Sequence, residues 1–160
     1  MRSLRIGLVG LALVLLAGCG HRTPTEEDVL NGQAKLPAGL PVAPLEWRAI
    51  TSGVDRRHGT MNLLTGNDLA VKYSGVGSYP EGSQLALTTW LARDDPHWFG
   101  ARIPGSFVAL EVVTVARGAD GKLVAGYKRY AGDPVREVTD AGEAEVRKAR
   151  ILGMRFAGMP

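Results

Sequence analysis

Cysteine is almost missing from this chain of 160 residues: the one present is Cys19. A single thiol excludes an intramolecular disulfide, a cysteine-only zinc site and a CxxCH haem-attachment motif. Histidine is scarce as well, with three residues, His21, His58 and His97, scattered along the chain. Neither sign of charge dominates. There are 19 basic and 16 acidic side chains, and Arg2 and Arg5 belong to a segment read below as removed. What remains is 17 against 16, so the sequence pI near 9.2 carries no argument for a nucleic-acid partner. No apolar run approaches the roughly 20 residues that a spanning helix needs, which excludes a polytopic membrane protein. Charged residues at 22% and hydrophobic residues at 45% exclude a collagen, a coiled coil and a disordered tail.

The familiar catalytic signatures are absent too. Gly75-Val76-Gly77 lacks a third glycine at the spacing that cradles a phosphate, and no Gly-Lys-Ser/Thr follows it. There is no G-x-S-x-G nucleophile elbow and no HExxH. The sequence therefore assigns no catalytic residue.

What is there begins with an address. Arg2 and Arg5 precede a run of 13 residues from Ile6 to Gly18, IGLVGLALVLLAG, which is apolar and too short to span a bilayer comfortably. A charged start, a short apolar core and small residues at the end describe a secretory signal. Its end, Leu16-Ala17-Gly18-Cys19, resembles the bacterial lipobox. The thiol is the nucleophile that takes a diacylglycerol there, and cleavage before it frees an amine for a further acyl chain. Several chains together hold where one would be marginal. Residues 1–18 are thus expected to be a lipoprotein signal peptide and Cys19 the lipid attachment, with palmitate among the acyl groups. Gly20 stands where Asp would favour inner-membrane retention, so the expected location is the cell envelope, facing the periplasm, with the outer membrane favoured over the inner.

Residues 19–44 carry Pro24, Pro37, Pro41 and Pro44 with no sustained period, and read as a flexible tether. Thr25 could cap one helical turn within it. A domain of roughly 115 residues follows from 45 to 160, enough for one core.

Strand signals run over Glu46–Thr51, Thr60–Thr65, Gln84–Leu91, Phe107–Ala116 and Leu123–Tyr130. Asn67 is a natural cap for a short helix over Asp68–Tyr73. Asp120-Gly121 predicts a hairpin joining the last two strands. Asp140-Ala141-Gly142-Glu143 resembles a capping box, opening a helix that runs to about Ala157. Its expected inner face is Ala141, Ala144, Ala149, Leu152 and Phe156, with a Glu143–Arg147 pair on the opposite side. The expected class is α+β: an antiparallel sheet with a short helix and a long C-terminal helix packed on it.

Asp94-Asp95-Pro96-His97-Trp98-Phe99-Gly100 places two acids, a histidine and two aromatics between strands three and four. Trp98 and Phe99 read either as buried anchors pinning a loop, or as the lining of a ligand pocket that His97 enters. His58 and His97 with Asp55, Asp94 or Asp95 could hold a metal only if the fold gathered them; otherwise both are solvated loop residues.

Several of these segments together resemble the cytochrome P-460 family. The carriers are Trp47-Arg48, His58-Gly59-Thr60 before Gly66-Asn67-Asp68, and Tyr79-Pro80-Glu81-Gly82-Ser83 before the strand ending at Trp90. Asp95 to Gly105 (DPHWFGARIPG) completes the set. The resemblance covers residues 45–160. It implies an antiparallel sheet with flanking helices in a periplasmic c-type haem protein that oxidises hydroxylamine or binds nitric oxide. It also implies a C-terminal CxxCH and a porphyrin-crosslinking lysine on the strand after the Pro-x-Gly turn. Here no Cys follows Cys19, the C-terminus has no His, and Ser83–Trp90 has no Lys. The fold is expected to carry over and the redox activity is not. The resulting expectation is a lipoprotein whose domain binds a small ligand or a non-covalent haem, through His97, His58 and Trp98. A non-catalytic envelope module that meets another protein is the alternative, and a His/carboxylate metal enzyme is a third reading.

Overall fold

The structure is a computed structural model, and it describes residues 31–139 and 142–155. Cys19, the signal run, Thr25, Asp140, Ala141, Phe156 and Ala157 lie outside the described residues. Six strands follow one another as β1 (Arg48–Asp55), β2 (Thr60–Gly66), β3 (Gln84–Asp94), β4 (Arg102–Arg117), β5 (Leu123–Ala131) and β6 (Arg136–Val138). Each pairs antiparallel with the next, so the spatial order is the chain order. Two short helices, α1 (Asp68–Tyr73) and α2 (Ala144–Gly153), interrupt and follow this meander. The protein is α+β and mostly β.

Local chemistry explains the joints. Asp55 Oδ1 accepts the backbone N–H of Arg57 and of His58, and Gly59 takes φ +61°, which closes the β1–β2 turn. Asn67 caps α1 by accepting the Ala70 N–H at 3.0 Å, and the same oxygen accepts the Gln84 N–H at 3.2 Å. Gly66 is required just before it: a Cβ there would stand 2.8 Å from Ala70 Cβ and 2.9 Å from Ile50 Cδ1. The β4–β5 hairpin forms at Asp120-Gly121 as expected, and its register sets Leu123 opposite Arg117 and Tyr130 opposite Leu110.

Both faces of the sheet are covered. On one, Ile50, Leu64, Leu85, Leu87, Val113 and Val115 pack with Ala70 of α1 and Ile151 of α2. On the other, Ala86, Leu110 and Val112 pack against Leu40, Val42 and Trp47. That second cover corrects the boundary of the expected tether, because residues 31–44 belong to the folded unit. Asn31 Nδ2 donates to Pro104 O at 2.6 Å, Trp90 Nε1 donates to Ala34 O at 3.1 Å, and Pro44 is buried. Pro37, Pro41 and Pro44, read as tether signals, lie in an irregular strap whose burial depends on distant residues, and no local period announces that.

The C-terminal helix is shorter than expected. It ends at Gly153, since Met154 is extended at ψ 138°. Its inner face also differs. Ala144, Arg147, Lys148, Ile151 and Leu152 are the buried or half-buried positions, whereas Ala149 is exposed. Those five follow i, i+3, i+4, i+7, i+8, the spacing of one helical stripe. The stripe was hidden because two of its members are charged.

Candidate functional site

The sheet face under α2 carries a row of partners across four strands: Leu64, Leu87, Glu111 and Arg129. The neighbouring row is Asn62, Thr89 and Ala109. These rows floor a cavity of about 300 Å³. Arg147 and Arg150 reach it from α2, and Asp55, His58 and Thr60 line it from the β1–β2 turn.

Glu111 is only 2% exposed, in the middle of the longest strand. A carboxylate is stable there only if it is neutralised and hydrogen-bonded. Arg147 supplies both in bidentate form, with Nε 2.8 Å from Oε1 and Nη2 2.7 Å from Oε2. Tyr127 O–H donates to Oε1 at 2.7 Å. Burial, then the Glu111 carboxylate, pushes the Tyr127 phenol up to about 12. The Glu111 hydrogen bonds push the Arg147 guanidinium further up, and it is charged throughout the working range. Arg147 Nη1 also lies 3.6 Å from Glu143, so the expected pair exists, but Arg147 faces the sheet and not solvent.

At the rim, His58 Nδ1 stands 2.7 Å from Asp55 Oδ2, and the imidazole is 76% exposed. The side-chain and then the backbone hydrogen bonds from His58 hold the Asp55 carboxyl below its ordinary value. With Glu111 matched to Arg147 and Asp55 to His58, two cations of the lining, Arg129 and Arg150, have no carboxylate partner among the described residues. Two buried polar atoms of the floor are also without a hydrogen bond, Arg129 Nε and Asn62 Oδ1. The cavity therefore offers positive charge and hydrogen bonds that protein atoms leave unused.

The residues singled out in the sequence are not brought together. His58 lines the cavity; His97 and Trp98 do not. They sit in the loop 95–101 at the end of the β3–β4 ribbon, where Trp98 is 73% exposed and Phe99 fully so. This corrects the expectation of buried anchors. The loop is closed by its own bonds, Asp95 N–H to Ala101 O and Ala101 N–H to Trp98 O, beyond the end of the core. The buried tryptophan is Trp90 instead. Among the described residues no three His, Cys, Asp or Glu gather so as to hold a metal, and the site proposed from His58, His97 and a carboxylate falls.

The haem implied by the resemblance does not fit these residues either. A porphyrin needs a flat apolar slot and an axial ligand. This cavity is walled by three arginines and two acids, and its one imidazole is engaged by Asp55 at the solvent edge. No protein-family model matches the chain, and no curated protein matches it.

Sequence reasoning missed Glu111, Tyr127, Arg129, Arg147 and Arg150. One signal was available: a lone acid inside Phe107–Ala116, FVALEVVTVA, must find a cation if the strand is central.

Proposed function

We propose that this protein is a lipid-anchored, periplasm-facing envelope protein whose P-460-like domain binds a small anionic molecule in the cavity between the sheet and α2. The observation that carries the reading is the surplus of Arg129 and Arg150, with the donor Arg129 Nε left without a partner at the floor. An orphaned buried donor costs on the order of 1–3 kcal/mol, and a ligand oxygen that accepted from it would recover that cost. A volume near 300 Å³ suits a small molecule and stands at the lower end of ligand pockets. Guanidinium forks suit carboxylate and phosphate oxygens. The antiparallel sheet with helices on one face agrees with the architecture that the P-460 resemblance implies. Attachment through Cys19 rests on the lipobox Leu16-Ala17-Gly18-Cys19. The role is binding, and no residue is assigned to catalysis.

Calorimetric titration of the full chain with inorganic phosphate and with succinate tests the site. Saturable binding of at least one probe is expected, weakened about tenfold or more in Arg129→Leu, since one buried guanidinium contact is worth that much. Arg129 Nε makes no hydrogen bond for the substitution to break, and an unchanged urea unfolding curve checks that the variant is folded. No saturable heat with either anion, or equal heat in the variant, overturns the reading. A haem titration is the counter-test: a saturable Soret band lost in His58→Ala would replace the anion with haem.

A further inference from the structure

We infer that the tip of the β3–β4 ribbon is a direct bilayer contact: Trp98 and Phe99 enter the membrane interface, and Arg56 meets phospholipid phosphates. Single exposed valines and leucines are ordinary on a protein surface. Two adjacent exposed aromatics at a hairpin tip are not, and Trp98 and Phe99 stand at 73% and 110% exposure. A tryptophan ring, apolar with one polar N–H, is the side chain most suited to the headgroup boundary.

The surroundings are built to match. Ala92 N–H donates to Gly59 O at 2.7 Å, which lays the β1–β2 turn beside the ribbon. Between them runs a groove lined by Val54, Asp55, Arg56, Gly59, Asp94 and Arg102, among others. Its two acids are engaged: Asp94 with Arg102 at 2.7 Å and Asp55 with His58 at 2.7 Å. Asp95 is also at the tip, and its Oδ1 accepts the His97 N–H. Arg56 has no ion-pair partner among the described residues, and Arg57 beside it is exposed. A phosphate anion complements that groove, and the apolar tip beside it complements the acyl boundary below.

The path of the chain selects a bilayer as the occupant. The folded unit begins at Asn31, which is fastened to this same ribbon through Pro104 O and the Arg93 guanidinium. Those contacts lie within two residue pairs of the last pair of the ribbon, Asp94 with Arg102. Eleven residues lie between Cys19 and Asn31, a reach of at most about 40 Å. The far end of β4 at Arg117 lies a further 40 Å or so from Pro104 along the strand. A lipid on Cys19 therefore keeps the ribbon end, where the chain leaves the fold, within about 40 Å of the bilayer, whereas the opposite hairpin can stand about twice as far away. The inference rests on the anchor reading for this proximity alone.

The test uses the full chain reconstituted in phosphatidylethanolamine–phosphatidylglycerol vesicles, with Trp98→Phe as the reference that isolates the Trp98 emission. Flotation with the vesicles reads the anchor; quenching reads the tip. The Trp98 emission is expected to shift to the blue, to be quenched by bromine-labelled lipids, and to lose about threefold of its quenching by aqueous iodide, as an indole at the interface does. Phe99→Ser with Arg56→Ser is expected to reverse these changes while the chain still floats. A chain that floats with Trp98 equally open to iodide overturns the inference and leaves the anchor standing. A chain that does not float overturns both. A blue shift that follows protein concentration without vesicles assigns the tip to a second copy of the chain and overturns the bilayer.

Discussion

Tyr127 donates its hydroxyl to a carboxylate that has almost no access to water, and its titration records that environment. Burial and the Glu111 carboxylate both disfavour the phenolate, and together they outweigh the nearby Arg147, placing the group at about 12. A tyrosine in an unfolded chain ionises near 10. Between those two values the unfolded chain has lost a proton that the native state still holds. The contribution of Tyr127 is therefore complete below pH 10 and is lost as pH rises through 12. A phenolate absorbance titration is expected to show a late step that disappears in Tyr127→Phe. Tyr79, also raised by burial, keeps its own late ionisation in that variant. An unchanged late step after the substitution would mean that Tyr127 does not face Glu111 in solution.

Helix α2 is held to the sheet at one end by apolar contact, through Ile151 and Leu152, and at the other by the Glu111–Arg147 fork. The fork sits two-sidedly in energy: each partner is needed by the other, and neither is needed if both go. Arg147→Met leaves Glu111 buried with one hydroxyl donor and is expected to cost about 3–4 kcal/mol in denaturant unfolding. Glu111→Leu with Arg147→Met is expected to recover most of that loss. If the double variant is as unstable as the single one, the fork is doing more than neutralising a buried charge. The same fork explains what could be read beforehand. α1 was legible to the residue, because its cap, its length and its closing turn are all local. β5 and the Phe107–Ala116 part of β4 were legible because strand-forming runs flank an Asp-Gly turn, whereas the start of β4 at Arg102 was not read. β6, three residues long and all exposed, has no period to detect. The phase of α2 was misread because Arg147 looks like a solvent residue until Glu111, 36 positions away, is placed opposite it. The site shared that difficulty: its cations and acids come from β1, β4, β5 and α2, and only folding makes them neighbours.

At the scale of the molecule, one meandering sheet has two apolar faces and only two short helices to cover them. The helices take one face, and the strap of residues 31–47 takes the other through Leu40, Val42 and Trp47. The strap also ties the ribbon by Asn31 and receives the Trp90 indole at Ala34, so it links the core to the exposed tip. Were it merely a spacer, its apolar residues could be made polar without consequence. Leu40 and Val42 are half-buried, and removing their apolar contact should forfeit roughly 1–1.5 kcal/mol each. Leu40→Ser with Val42→Ser is thus expected to lower the unfolding free energy by about 2–3 kcal/mol. Leu45→Ser, at a leucine that is 57% exposed, should change it by less than about 0.5 kcal/mol. Equal stability of the two variants in urea would return residues 31–44 to the status of a tether. A selective loss in the first would make the strap the second layer of the fold, with Ala86, Leu110 and Val112 as the surface it protects.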